Sequence, residues 1–167
     1  MLLFIYTLKN DGALNIETTF IPDTSAVASL ARIGLAFEMP YAYNKVSYLG
    51  RGEHETYVAR NQSGRIGIYH TDAERMFHYY VKPQATGNRT DVRWMELSDE
   101  AGEGLAFRSD KAFLFSVIPF TDTNVDKAFI LMNYSVQALS PFIWMLCNRV
   151  WVQPLAVWVY DRNIVFL

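Results

Sequence analysis

Glu53, His54 and Glu55 stand side by side in GRGEHETYVAR, residues 50–60. Two carboxylates can act as a general acid and a general base when they face one bond from opposite sides. Sequence neighbours on an extended chain point to opposite sides, so this spacing does not build such a pair. A metal centre would need further ligands at a regular spacing, and none follows. Gly50-Arg51-Gly52 is no phosphate cradle, since it lacks the helix and the Gly-Lys-Ser/Thr ending. On residue types alone the stretch reads as a glycine-punctuated surface loop.

A second cluster is GNRTDVRW, residues 87–94. Strict alternation would put Arg89, Asp91 and Arg93 on one face of a strand. Two arginines flanking one aspartate then form a structural ion-pair ladder. A second reading makes the cluster a sugar platform, because planar polar groups beside Trp94 suit a pyranose ring. His70 and His78 have no evident partners and read as surface or internally satisfied histidines. Ser63 and Cys147 lack a nucleophile's surroundings.

The elements that must position these residues are antiparallel strands. YTLKNDGALNIETTF holds two β-favouring runs around Asn10-Asp11-Gly12, a strong hairpin signal. RIGLAFEM places Ile33, Leu35 and Phe37 on one face, and KVSYLG is a further short strand. RTDVRWMEL alternates, with Val92, Trp94 and Glu96 on one face and Arg93, Met95 and Leu97 on the other. After a polar loop at residues 98–104, GLAFRS and AFLFSVIPF read as a returning pair of strands. The only helical period is a weak one over residues 72–80. Turn signals every ~8–12 residues point to a sandwich.

The totals exclude several classes of function. A chain of 167 residues is long enough for one well-buried domain. A net charge of −2 leaves no electrostatic footprint for nucleic acid. No run of Lys or Arg suggests an acidic membrane surface. A single cysteine rules out an internal disulfide and any multi-cysteine metal site. The opening MLLFIY is too short for a signal segment and has no basic flank. The sequons at Asn61, Asn88 and Asn133 therefore carry no secretory implication, and a cytoplasmic location is expected. All nine glycines fall between Gly12 and Gly104, whereas residues 129–167 contain no glycine and only three charges, Arg149, Asp161 and Arg162. Two compositions meet near Ala128.

LARIGLAFEMP, YLGRGEHETYVAR and YVKPQATGNRTDVRWMEL, in this order, resemble the C-terminal β-sandwich of the large β-galactosidases of glycoside hydrolase family two, the small chain. The resemblance covers roughly residues 6–128, about three quarters of the chain. It implies an antiparallel, galactose-mutarotase-like β-supersandwich. It also implies that both catalytic glutamates, and the Mg and Na sites, lie mainly on an upstream TIM barrel. No residue here inherits a catalytic role, and no cofactor is expected in this chain. Its implied partners are that barrel and a galactoside sugar.

By resemblance, Gly52, His54, Glu55, Tyr57 and Arg60 belong to a loop at the mouth of the sugar pocket, which moves as the pocket fills. The family pattern is GRGPHENYPDR. This chain has Glu53 and Val58 in place of prolines, Thr56 in place of asparagine and Ala59 in place of aspartate. Loss of the prolines is expected to loosen the loop, and loss of the Asx residues to remove local hydrogen bonds. Ala85 and Thr86 replace a Glu-Asn pair. Asn88, Arg89, Asp91, Arg93 and Trp94 keep the structural motif.

After Ala128 the resemblance stops, and overlapping codons explain why. In the frame that joins each codon's last base to the next two, Trp144-Met145 forces aspartate. Trp151-Val152 and Trp158-Val159 each force glycine, and Cys147-Asn148 gives glutamine or a stop. The remaining overlaps permit GLVTVYLDAVQSGVGTATCGLGV, the family's C-terminal sequence in register. Residues 129–167 are thus expected to be an out-of-frame apolar tail, leaving the sandwich incomplete at its C-terminus with sheet edges exposed. Met1 falls inside a family strand, so the upstream portion is expected to be absent or encoded separately.

The expectation is a non-catalytic fragment of a β-galactosidase that supports the barrel and the sugar pocket. One alternative is a stand-alone carbohydrate-binding β-sandwich. Another is a membrane-anchored protein using residues 129–148, a 20-residue uncharged run diluted by Asn, Gln, Ser and Pro.

Overall fold

A computed structural model describes residues 1–21, 34–81, 86–119, 142–146 and 149–154. The described chain is all-β apart from one helical turn. Its elements are β1 (Leu2–Leu8), β2 (Leu14–Phe20), β3 (Leu35–Glu38), β4 (Lys45–Arg51), β5 (Ile66–Asp72), α1 (Ala73–Met76), β6 (Arg89–Ser98), β7 (Gly104–Ile118), β8 (Phe142–Leu146) and β9 (Arg149–Pro154). Every strand pair is antiparallel. The strands run β1-β2-β9-β7-β6-β4-β5, and β8 joins β7 to β3 on a branch.

The hairpin forms where the sequence places it. Gly12 takes φ 82°, the Asp11 carboxylate accepts from the Ala13 amide, and Lys9 N–H reaches Ala13 O at 2.8 Å. KVSYLG forms a strand as read, and within it Val46, Tyr48 and Gly50 are buried. The weak helical period is a single turn, capped by the Asp72 carboxylate accepting from Arg75 N–H. Leu35 and Phe37 are buried on β3, together with Ala36 between them. Ile33 lies outside the described residues.

Three readings need correction. GLAFRS and AFLFSVIPF are one 15-residue strand, β7, and not a pair. It pairs with β6 on both sides of residues 109–112, so this polar patch is a bulge inside a strand. The two-face pattern of β6 does not hold either. Val92, Met95 and Leu97 are all fully buried and Arg93 is exposed, because the register shifts between Val92 and Trp94. The exposed sheet edges expected from a lost C-terminus are in part covered. β9 lies between β2 and β7, and β8 between β3 and β7. Segments rich in Val, Ile, Phe and Trp pair as strands whatever their origin. The rest of residues 129–167 lies outside the described residues.

The sheet encloses one core. Val46 and Tyr48 of β4, Val92, Met95 and Leu97 of β6, and Phe107, Phe113, Phe115 and Val117 of β7 supply most of it. Ile16 of β2 and Phe37 of β3 close it, and Phe37 stacks on Phe107 at 5.1 Å between ring centres. Each such side chain contributes roughly 1.5–3 kcal/mol on burial. The two polar clusters lie at the buried N-terminal end of β6 and at the C-terminal end of β4.

Candidate functional site

Residues 52–60 leave the end of β4 and are pinned at three points. At the first, Tyr48 on β4 donates its hydroxyl to Gly52 O, and Gly52 N–H donates to Arg65 O at 2.9 Å. Gly52 takes φ +70°, and a Cβ there would meet backbone atoms of His54 and Gly64 at 3.1 and 3.3 Å. Glycine is therefore required at this turn.

The second point is Thr56, which is fully buried. Its amide donates to Asn88 O at 2.8 Å, and its carbonyl accepts from Asn88 Nδ2 at 2.7 Å. Its hydroxyl accepts from Thr90 N–H at 3.0 Å and bonds the Thr90 hydroxyl. Threonine at the position where the family pattern has asparagine thus still ties the loop to β6, this time through a hydroxyl.

The third point is the Glu55 carboxylate. Tyr80 OH and Arg60 Nη2 donate to one oxygen. Gly87 N–H at 3.1 Å, Thr86 Oγ1 at 3.2 Å and Tyr57 OH at 3.4 Å reach the other. Arg60 also lies over the Tyr57 ring at 5.3 Å. Burial alone would raise the Glu55 pKa, but the donors from Tyr80, Gly87, Arg60 and Thr86 outweigh it and hold the carboxyl below its ordinary value. Burial and the Glu55 charge push Tyr57 up to about 12.

The predicted ladder is not present. Arg89 is buried, with 2% of its surface exposed. Its Nε donates to Tyr48 OH at 2.9 Å, Nη1 to Gly87 O and Asn88 O, and Nη2 to Glu53 O at 2.9 Å. Asp91 takes φ 53° and pairs with Arg51 of β4, not with either flanking arginine side chain. Arg93 is exposed and donates to the Asp91 backbone carbonyl. The bulge at Asp91 breaks the period of two on which a ladder depends. Trp94 is half-buried, opposite Leu49 and Arg108.

Of the residues singled out from the sequence, Glu55, Tyr57 and Arg60 converge with residues 86–87. Gly52, Asn88 and Arg89 form an adjoining cluster. His54 is exposed and bonds Ser63 at 2.8 Å, apart from both. His70 bonds Ser47 at 2.9 Å, and His78 packs edge-on against Tyr80. Sequence reading missed Tyr48, Tyr80 and Thr86 as partners. Only Tyr48 carried a signal, its place on the buried face of KVSYLG. Chemically, Glu55 is an ionised acceptor surrounded by donors. Among the described residues no group of three His, Cys, Asp or Glu could hold a metal ion, and no helix is long and apolar enough to cross a membrane. Residues 142–146, within the run considered as a span, form strand β8.

The described chain is an all-β domain with a loop tied to the start of a long strand. The family described as "Beta galactosidase small chain" matches residues 2–138, and the chain belongs to it. The chain is 35% identical over 141 residues to the β-galactosidase of Lactobacillus delbrueckii subsp. bulgaricus, covering 81% of this chain and 14% of that protein. It is 34% identical over 122 residues to that of Actinobacillus pleuropneumoniae, covering 73% and 12%. It is 29% identical over 116 residues to that of Priestia megaterium, covering 70% and 11%. The chain thus spans only about an eighth of the length of these relatives. These matches favour neither a stand-alone carbohydrate-binding module nor a membrane-anchored protein.

Proposed function

We propose that this chain acts as the non-catalytic small-chain domain of a β-galactosidase that hydrolyses terminal β-D-galactosides such as lactose. The observation that carries this reading is the family match over residues 2–138. On this reading the domain forms a galactose-mutarotase-like supersandwich, incomplete at its C-terminus, that buttresses the catalytic TIM barrel and works in the cytoplasm. It presents Gly52, His54, Glu55, Tyr57 and Arg60 toward the sugar pocket. The family's Mg and Na ions belong to the rest of the enzyme.

The chemistry of Glu55 supports a positioning role over a catalytic one. A glycosidase acid needs a raised pKa, and a nucleophile needs a free carboxylate oxygen facing the sugar. Glu55 has a lowered pKa, and donors occupy both of its oxygens. Reaction at this carboxylate would first require breaking several charge-assisted bonds.

Complementation tests the proposal. The purified chain is mixed with the Priestia megaterium β-galactosidase from which the matching region has been deleted. Hydrolysis of a nitrophenyl galactoside is expected from the mixture and from neither part alone. Turnover by this chain alone overturns its non-catalytic role. Failure both to co-elute and to restore turnover overturns the reading as a whole.

A further inference from the structure

We infer that Arg89 is a positioning residue for the galactose pocket, holding the first turn of the 52–60 loop and so setting sugar affinity without touching sugar. This inference rests on the small-chain reading above.

A guanidinium only 2% exposed has lost nearly all of its hydration, a large cost that a buried arginine ordinarily offsets with a carboxylate. Among the described residues Arg89 has no carboxylate partner. Its donors go to oxygens of the loop and of the strand entry. Nη2 holds Glu53 O at 2.9 Å, Nε holds Tyr48 OH at 2.9 Å, and that hydroxyl in turn donates to Gly52 O. Two consecutive loop carbonyls are therefore fixed by one side chain, the second directly and the first through a phenol.

Nη1 grips Gly87 O at 3.1 Å, while the amide of the same Gly87 donates to Glu55 at 3.1 Å. Arg89 and Glu55 thus hold one residue from its two sides and lock the loop to the start of β6. Satisfied neighbours alone would have favoured an apolar side chain at this depth. A cation bonded to four oxygens of defined position is suited to fixing geometry. Lysine, with a single compact ammonium, cannot span those acceptors. Small displacements of groups bordering a bound substrate cost affinity or rate well beyond their size.

The test uses chains carrying R89K and Y48F, each mixed with the truncated Priestia megaterium enzyme. In the assembled enzymes KM for a nitrophenyl galactoside is expected to rise at least about fivefold, with kcat within about twofold. In the variant chains alone, exchange of the Thr56 amide is expected to accelerate about tenfold. Variants that assemble with unchanged KM and unchanged Thr56 exchange overturn the inference. Loss of the fold in both variants, seen by circular dichroism, also overturns it, since Arg89 would then serve the core. If the unsubstituted chain neither co-elutes with the truncated enzyme nor restores turnover, the small-chain reading fails, and Thr56 exchange still decides whether Arg89 clamps the loop.

Discussion

Glu55 gathers five donors onto one carboxylate, and its charge state governs how firmly the loop is held. Its folded pKa is depressed. The stabilisation is therefore complete above the unfolded value of about 4.3 and is lost as pH falls through the lower folded value. Glu55→Gln is expected to cost about 1–3 kcal/mol near neutral pH. The difference from the unsubstituted chain should shrink as pH falls into the carboxylate range, as followed by urea unfolding at a series of pH values. Tyr57 gives a second readout of the same charge. Spectroscopic titration is expected to show one tyrosine ionising at about 12, moving toward the ordinary 10 in the Glu55→Gln chain. Thr56→Val keeps shape but leaves the buried Thr90 amide without its acceptor. It is expected to lower unfolding free energy by about 1–3 kcal/mol.

Among the elements, β6 and β7 show where local pattern and pairing part company. The loop between them closes so tightly that a Cβ at Gly104 would stand 1.8 Å from Leu97 O. Leu97 O, and the Leu97 carbonyl carbon and Ser98 Cα at 2.8 Å, belong to backbone held in the ladder and cannot yield cheaply. Gly104→Ala is expected to cost more than about 3 kcal/mol, beyond ordinary overpacking, read as a large drop in Tm or as insoluble expression. The polar patch at residues 109–112 looks like a turn in sequence, yet the chain continues as a strand on both sides of it. The partner strand β6 decides this, because Val92 pairs with Phe113 and Trp94 with Arg108. β5 escaped notice for a related reason. IGIYHTD is an edge strand with Ile66 and Ile68 exposed, so its alternation does not separate core from solvent.

Among the described residues β1 stands at one edge of the sheet, with Leu2, Leu3, Ile5, Tyr6 and Leu8 exposed. A long apolar edge is a template for pairing with another chain. Ile5→Lys is expected to suppress self-association in light scattering and to leave Tm within a few degrees, because surface changes rarely exceed ±0.5 kcal/mol.

The sequence by itself determined the strand-rich class, the Asp11-Gly12 hairpin, the short strand at KVSYLG, and the family through long shared stretches. The strands and the hairpin are properties of nearest neighbours and of periodicity, and the chain carries them without help from distant residues; the family came from resemblance. Only the tertiary structure decided what the polar residues do. Arg89, Asp91 and Arg93 looked equivalent at a spacing of two, but the bulge at Asp91 turned each toward a different environment. One became a buried clamp, one an ion-pair partner of Arg51, and one a surface group. Glu55 met Tyr80, Thr86 and Gly87 across 25 to 32 positions of sequence. Contacts of that separation exist only once the sheet has formed, since strand pairing brings the donors to the carboxylate.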